Sequence, residues 1–264
     1  MTNKNWLSAV GAVSLALVGC GPVDPANTEQ EPLAEQTSEI VNAKPWADAP
    51  AIVKNSLVIV RTPTGLCSGT LVTSTKVLTA QHCVTSTNPT GHSVQFDNGV
   101  RQTVWSIKSN ASADMAVLNI SGIPAGSLQS AAYVHTALTG SINAGDRVVI
   151  AGAGITTAGG SDSGVRRWGK IVYRQYLGNY TLRGGYAYSS GMKYSPDSCT
   201  GTDPACSNIC SGDSGGPVFQ YRGTEGWGLI GVNSGSTCDG LWGSGFGAEM
   251  IAADARAWRS WIFN

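Results

Sequence analysis

The sequence predicts an all-β fold. Short runs rich in β-branched residues recur along the chain, at residues 56–60, 76–79, 147–150, 170–173, 217–221 and 228–232. Glycine or proline stands between them, as turns between strands require. The composition agrees, because 34 glycines and only 13% charged residues describe a turn-rich chain. Only the C-terminus reads as a helix: Ile251, Ala255, Trp258 and Ile262 fall at helical spacing, with Arg256 and Arg259 on other faces. The tryptophans there read as core packing. The formal net charge is +0, so nothing draws the chain to nucleic acid or acidic surfaces.

The N-terminus has its own organisation. Lys4 precedes an apolar stretch over residues 6–18, too short to span a bilayer and of the length of a signal peptide, here residues 1–19. It ends Leu17-Val18-Gly19-Cys20, which resembles a bacterial lipoprotein box. In such a box the cysteine is lipidated and becomes the new N-terminus, so Cys20 would anchor the precursor to a membrane. The alternative is an ordinary secretory signal with an incidental cysteine. Gly21 after it resembles outer-membrane sorting. Residues 20–39 carry Pro22, Pro25 and Pro32, with Asp24, Glu29, Glu31, Glu35 and Glu39 and no Lys or Arg. Such a segment cannot bury a core and is expected to be a disordered linker or propeptide. The folded domain is expected over residues 40–264, long enough for one all-β unit.

The chemistry centres on Gly212-Asp213-Ser214-Gly215-Gly216-Pro217. A serine hydroxyl is a weak nucleophile that needs a base beside it and donors for the oxyanion it creates. Flanking glycines let backbone N–H groups approach a substrate. A Gly/Ser turn alone would read the same way, so the rest of the chain has to decide. Of the three histidines, His82 lies in Thr79-Ala80-Gln81-His82-Cys83, His92 reads as a surface loop residue, and His135 has no acidic neighbour. A third group should hold the imidazole in the right tautomer. Asp114 heads the apolar run Met115-Ala116-Val117-Leu118 and is the candidate. Asp97 sits in Phe96-Asp97-Asn98-Gly99, a hairpin-turn signature, and is set aside.

These segments resemble the histidine, aspartate and serine boxes of the trypsin/chymotrypsin family of serine endopeptidases, in that family's order. The resemblance covers about residues 40–264. It implies a chymotrypsin-like architecture of two six-stranded antiparallel β-barrels with a C-terminal α-helix. His82 and Asp114 would belong to the first barrel and Ser214 to the second, with the cleft between them. It implies that Ser214 attacks the carbonyl, that His82 carries the proton, and that Asp114 orients His82. Backbone N–H groups of Gly212 and Ser214 would form the oxyanion hole. It also implies activation by cleavage before Ile40-Val41-Asn42-Ala43, the freed ammonium pairing with Asp213. On that scheme Asp213 stays outward until the cation arrives, because an unpaired buried carboxylate is costly. Asn42 in place of the family's glycine and Glu39 at the cut depart from the pattern.

Setting Cys20 aside leaves six cysteines, an even number suited to an oxidising compartment. The resemblance pairs Cys67 with Cys83 and Cys210 with Cys238, which leaves Cys199 and Cys206. A zinc site is the alternative for such cysteines, disfavoured by the spacing and the export signal. The family's primary pocket has its base six residues before the serine, here Asn208. Ile209 would add apolar bulk, and Ser234, Gly235 and Gly245 would line the walls. An uncharged side chain, apolar or amide-bearing, is expected before the cut bond. Such a pocket would not cut after Glu39, so another protease would perform the activation. The expectation is an exported enzyme acting on protein or peptide substrates. It is expected to be a monomer that needs no cofactor or metal and binds no nucleic acid, held at an outer membrane or cell surface through Cys20 or secreted after cleavage. The readings set against it are a catalytically silent protease-like binding domain and an esterase.

Overall fold

The structure is a computed structural model, and it describes residues 40, 43–84, 86–132, 142–156, 160–181, 187–195, 207–236 and 250–264. All of them lie in the unit Ser38–Asn264. Twelve strands form two closed barrels of six. The first is built from β1 (Leu57–Thr62), β2 (Gly65–Leu71), β3 (Lys76–Thr79), β4 (Ser93–Gln95), β5 (Arg101–Asn110) and β6 (Met115–Ile120), in the order β1-β2-β3-β6-β5-β4. The second is built from β7 (Arg147–Gly152), β8 (Arg167–Thr181), β9 (Ala187–Ser195), β10 (Pro217–Tyr221), β11 (Trp227–Ser236) and β12 (Met250–Asp254), in the order β10-β11-β12-β9-β8-β7. The pairings are antiparallel, as in the ladders of β1 with β2 and of β7 with β8. Closure pairs each strand with a neighbour on both sides within the barrels.

Strand alternation explains why so much of this sequence is apolar. Successive side chains of a strand point to opposite faces. In β1, Val58 and Val60 pack inside the first barrel, while Leu57 packs into a second cluster with Phe219 and Leu229 of the other barrel. In β7, Val148 and Ile150 fill the second barrel, while Val149 and Ala151 join that shared cluster. Strands at the seam are therefore buried on both sides and read as unbroken apolar runs. The hairpin expected at Phe96-Asp97-Asn98-Gly99 forms, with Gly99 N–H donating to Phe96 O at 3.1 Å and Gly99 at φ 80°.

Three expectations are corrected. The C-terminal helix does not begin at Ile251, because residues Met250–Asp254 form β12, paired with both β11 and β9. The helix, α2, is only Arg259–Phe263. A short run buried on both faces has no single period, so helix and strand look alike in sequence. A second helix precedes β1: α1 (Ala51–Ser56) follows Pro50, whose fixed φ suits a helix start, and it is too short to show a periodic stripe. His92 is not on the surface. It is 3% exposed, its N–H donates to Pro89 O at 3.0 Å and its carbonyl accepts from Val104 at 3.2 Å, which stitches the loop to β5.

The C-terminal helix ties the barrels together. It follows β12 of the second barrel, yet its carbonyls are capped from the first. Lys76 Nζ donates to Phe263 O and Lys108 Nζ to Trp261 O, both at 2.7 Å. Cations at a helix C-terminus satisfy its last carbonyls and suit its dipole.

Candidate active site

His82 sits in the one-turn 3₁₀ helix Gln81–Cys83, directly after β3. The adjacent Cys83 is bridged to Cys67 on β2, which pins this turn to the barrel. Asp114 ends a tight turn between β5 and β6. Asn110 builds that turn by accepting Ser112 N–H on its side chain at 3.1 Å and Ala113 N–H on its carbonyl at 3.2 Å. Asp114 itself has φ 48°, a left-handed conformation that short polar residues tolerate best. The side chain is fully buried. Its carboxylate accepts the His82 backbone N–H at 3.0 Å, His82 Nδ1 at 2.9 and 3.0 Å, and the Ser234 hydroxyl. A carboxylate only accepts, so Nδ1 carries the proton and Nε2 keeps its lone pair.

Ser214 lies on the turn before β10, 8% exposed, with its carbonyl accepting Ser68 N–H at 2.8 Å across the barrel seam. Its hydroxyl makes no hydrogen bond among the described residues.

The backbone around Ser214 alternates. Asp213, Gly215 and Gly216 give their N–H groups to Cys210 O, Asn233 O and Asp213 O at 3.0, 2.8 and 3.0 Å. Gly212 and Ser214 give theirs to no acceptor among the described residues. The carbonyls behind those two donors are tethered. Ser211 O accepts Ile155 N–H at 2.8 Å, and Asp213 O accepts Gly216 N–H at 3.0 Å and Asn233 Nδ2 at 3.2 Å. A planar trans peptide points its N–H opposite to its C=O, so anchoring the carbonyl aims the donor. Gly212 has φ 94°, and a Cβ there would come within 2.8 Å of Gly154 Cα, so this turn needs glycine.

Asp213 is turned inward, 1% exposed, with its carboxylate accepting Gly154 N–H at 2.8 Å and Cys210 N–H at 2.9 Å. This occurs in the continuous chain, where the activation scheme would seat Asp213 only after the cut. The backbone N–H groups of Gly154 and Cys210 hold the carboxylate there. The Ile40 side chain is buried in the second barrel's core with Ile150, Ile171 and Ile209.

The expected pocket residues separate. Asn208 is 5% exposed and turns its Oδ1 back onto Ile209 N–H at 2.9 Å. Ile209 does not add bulk to a pocket, because its side chain packs into the second barrel's core. Ser234 is not simply a wall, since its hydroxyl serves Asp114. Gly235 lies at the irregularity in the pairing of β11 with β12. Gly245 lies outside the described residues, as do Cys20, Cys199, Cys206 and Cys238. Cys210 is disulfide-bonded. Among the described residues no cluster of His, Cys, Asp and Glu could hold a metal ion, and no helix is long and apolar enough to cross a membrane.

Sequence reasoning missed Ser68 and Asn233. Ser68 Oγ donates to Gly212 O and accepts Ala153 N–H, both at 2.8 Å, while Thr79 Oγ1 donates to Ser68 O at 2.8 Å. Asn233, fully buried, reaches Ala151 O at 3.0 Å as well as Asp213 O. The available signal was a polar residue inside an apolar strand, Val232-Asn233-Ser234.

Two closed six-stranded antiparallel barrels, with a hydrogen-bonded Asp–His pair and a serine turn at their seam, define the chymotrypsin-like class of fold. A model described as Trypsin matches residues 47–251, and the chain belongs to that family. Among curated relatives, serine protease SP24D of Anopheles gambiae is 31% identical over 169 residues, which is 58% of this chain and 58% of that protein. The chain thus spans a little over half of that relative's length. Among solved structures, the scabies mite inactivated protease paralogue S-I1 superposes with a TM-score of 0.59 at 20% identity, covering 80% of this chain and 95% of that one. This last likeness is one of fold.

Proposed function

We propose that this chain is an exported serine endopeptidase that hydrolyses peptide bonds in protein or peptide substrates. The observation that carries the reading is the hydrogen-bonded Asp114–His82 pair, which orients the imidazole for base catalysis, together with a serine turn whose Gly212 and Ser214 N–H groups meet no acceptor among the described residues. Ser214 attacks the scissile carbonyl as His82 Nε2 takes its proton. The oxyanion forms toward the N–H groups of Gly212 and Ser214, each such donor lowering the barrier by about 3–4 kcal/mol. The imidazolium that results is stabilised by Asp114. It then protonates the leaving amine, and water repeats the sequence on the acyl-enzyme.

The precursor, on this reading, is lipidated at Cys20 and cut before Ile40 by another protease. The cut frees the domain from its anchor and adds an ammonium for Asp213, strengthening a seat that backbone N–H groups already support. An uncharged side chain is preferred before the cut bond.

The test is labelling with a fluorophosphonate, read by intact mass, on full-length protein and on protein cleaved before Ile40. One adduct on Ser214, absent in Ser214→Ala with unchanged thermal stability, is the expected result. Ser214→Ala that cleaves peptides at the wild-type rate would contradict the assignment. A cleaved wild-type chain that takes no label would point instead to a silent binding domain.

A further inference from the structure

The turn that carries the Gly212 and Ser214 N–H donors is backed by residues 153–155, and something must hold that segment in place. Ile155 N–H tethers Ser211 O, Gly154 N–H tethers Asp213 Oδ1, and Gly154 Cα fills the space under Gly212. Gly154 has no side chain of its own to anchor it. Its carbonyl is gripped by Arg167, the first residue of β8, through Nη1 at 2.7 Å. Arg167 is a buried cation, 7% exposed, an unusual place for a guanidinium. Its Nη2 pairs with Asp162 Oδ2 at 2.9 Å, and Asp162 Oδ1 in turn accepts Thr156 N–H at 3.3 Å. The two residues therefore hold residues 154–156 from both ends. Burial pushes the Asp162 carboxyl up, but the Thr156 hydroxyl, backbone N–H groups and the Arg167 guanidinium outweigh it and hold the group below its ordinary range.

From these contacts we infer that Arg167, braced by Asp162, is a positioning residue that aims the Gly212 and Ser214 N–H donors by holding Gly154 behind them. The chain of contacts is short. The guanidinium fixes the Gly154 carbonyl, which sets the Gly154 peptide against the Asp213 carboxylate and Ile155 against Ser211 O. The donor peptides of the turn lie between those tethers. A substrate's ground-state carbonyl needs these donors little and the oxyanion needs them much, so loss of the clamp falls on turnover rather than on binding. A guanidinium placed there for stability alone would show its loss in melting temperature and leave kcat unchanged.

This inference rests on the proposed catalytic reading, and one experiment separates the two. Wild type, Arg167→Met, Arg167→Lys and Asp162→Asn, all cleaved before Ile40, are compared by fluorophosphonate labelling rate and by kcat and KM on one peptide series. Arg167→Met is expected to lose about 10–100-fold in kcat, the scale of an ångström-level misplacement, with KM within about twofold of wild type. Arg167→Lys, which keeps a donor for Gly154 O, is expected to fall between. Unchanged kcat in Arg167→Met, or a loss carried by KM alone, would overturn the clamp. Should Arg167→Met fail to fold, Asp162→Asn decides, because it trades the carboxylate that orients Arg167 for a neutral amide and so loosens the guanidinium's grip on Gly154 O. A drop in kcat at constant KM supports the clamp, and wild-type kcat overturns it. Wild type that takes no label sinks the catalytic reading and the clamp together.

Discussion

Replacing Gly215 with alanine should separate the two barrels at the seam where the site is assembled. Gly215 has φ 83°, and the new Cβ would overlap Ser68 O and Thr79 Oγ1 and lie 2.9 Å from Ala80 N. Those atoms belong to β2, to β3 and to the residue after β3, while Gly215 itself gives its N–H to Asn233 O in the second barrel. The backbone conformation alone costs about 1–2 kcal/mol for a residue with a Cβ. Overpacking against fixed backbone adds about 1–3 kcal/mol. The total of about 2–5 kcal/mol is a large part of a domain's stability of roughly 5–15 kcal/mol. For a chain of this size each kcal/mol moves Tm by about 2–4 °C. Gly99→Ala is the control, since Gly99 has φ 80° and a Cβ there would meet nothing within 4 Å. Both variants are measured by calorimetry in a Ser214→Ala background, which removes self-cleavage. Gly215→Ala should melt well below Gly99→Ala, and the same change in active enzyme should lower kcat, because Ser68 holds Ser214 O. Equal melting temperatures for the two variants would refute the seam reasoning.

Further outcomes follow from the same geometry. Asp114→Asn keeps the shape but leaves His82 in the wrong tautomer, so kcat should fall by about 10⁴-fold with the fold intact; near-normal turnover would remove Asp114 from the triad. Burial raises the Tyr194 hydroxyl well above its ordinary value of 10.0, and burial likewise raises Tyr173. A folded state that holds those protons longer than the unfolded chain is fully stabilised below pH 10 and loses stability as pH rises beyond it. Tyr194→Phe should therefore flatten the alkaline limb of a pH–stability curve. Burial pushes Asp97 up, but Ser127, the Leu128 and Asn98 N–H groups and Arg166 outweigh it and lower the carboxyl below 3.8, and Asp162 is lowered too. Their contribution is present above that value and is lost as pH falls through the folded values, so Ser127→Ala should lower stability above that range, make the acid limb less steep and cost nothing in stronger acid. Peptides differing only in the residue before the cut bond should favour uncharged side chains, and a preference for arginine would contradict the reading of Asn208.

The fold was legible where strands had one clean pattern. Residues 147–150 and 217–221 are bounded by glycine or proline and rich in β-branched or aromatic residues, and they form β7 and β10. Legibility failed where burial removed the period. Met250–Ala253 is apolar at every position because Met250 and Ala252 pack in the second barrel's interior while Ile251 and Ala253 are buried on the other face, Ala253 in the shared cluster. Its spacing from Ile251 to Ile262 then matched a helix by coincidence. Six residues of α1 carry no stripe, and only Pro50 marked their start. His92 looked exposed because its neighbours are polar, while its burial comes from long-range pairing with Val104 that no local pattern encodes.

The site divides along the same physical line. His82, Asp114 and Ser214 stood out in the sequence because the proposed proton transfer restricts the residue types, and the structure joins His82 to Asp114 by hydrogen bonds. The parts that aim the donors were hidden, because their task is to hold carbonyl oxygens, and many donors can do that. Ser68, Asn233, Ile155 and Arg167 do it here by a hydroxyl, an amide, a backbone N–H and a guanidinium. None has a fixed distance in sequence from Ser214, and three of them come from strands that meet the serine turn only in the closed barrels. A chain could keep all three triad residues and lose turnover through any one of these anchors. On the proposed reading the triad sets which chemistry is available, while the tethering of Ser211 O and Asp213 O sets how well the site performs it.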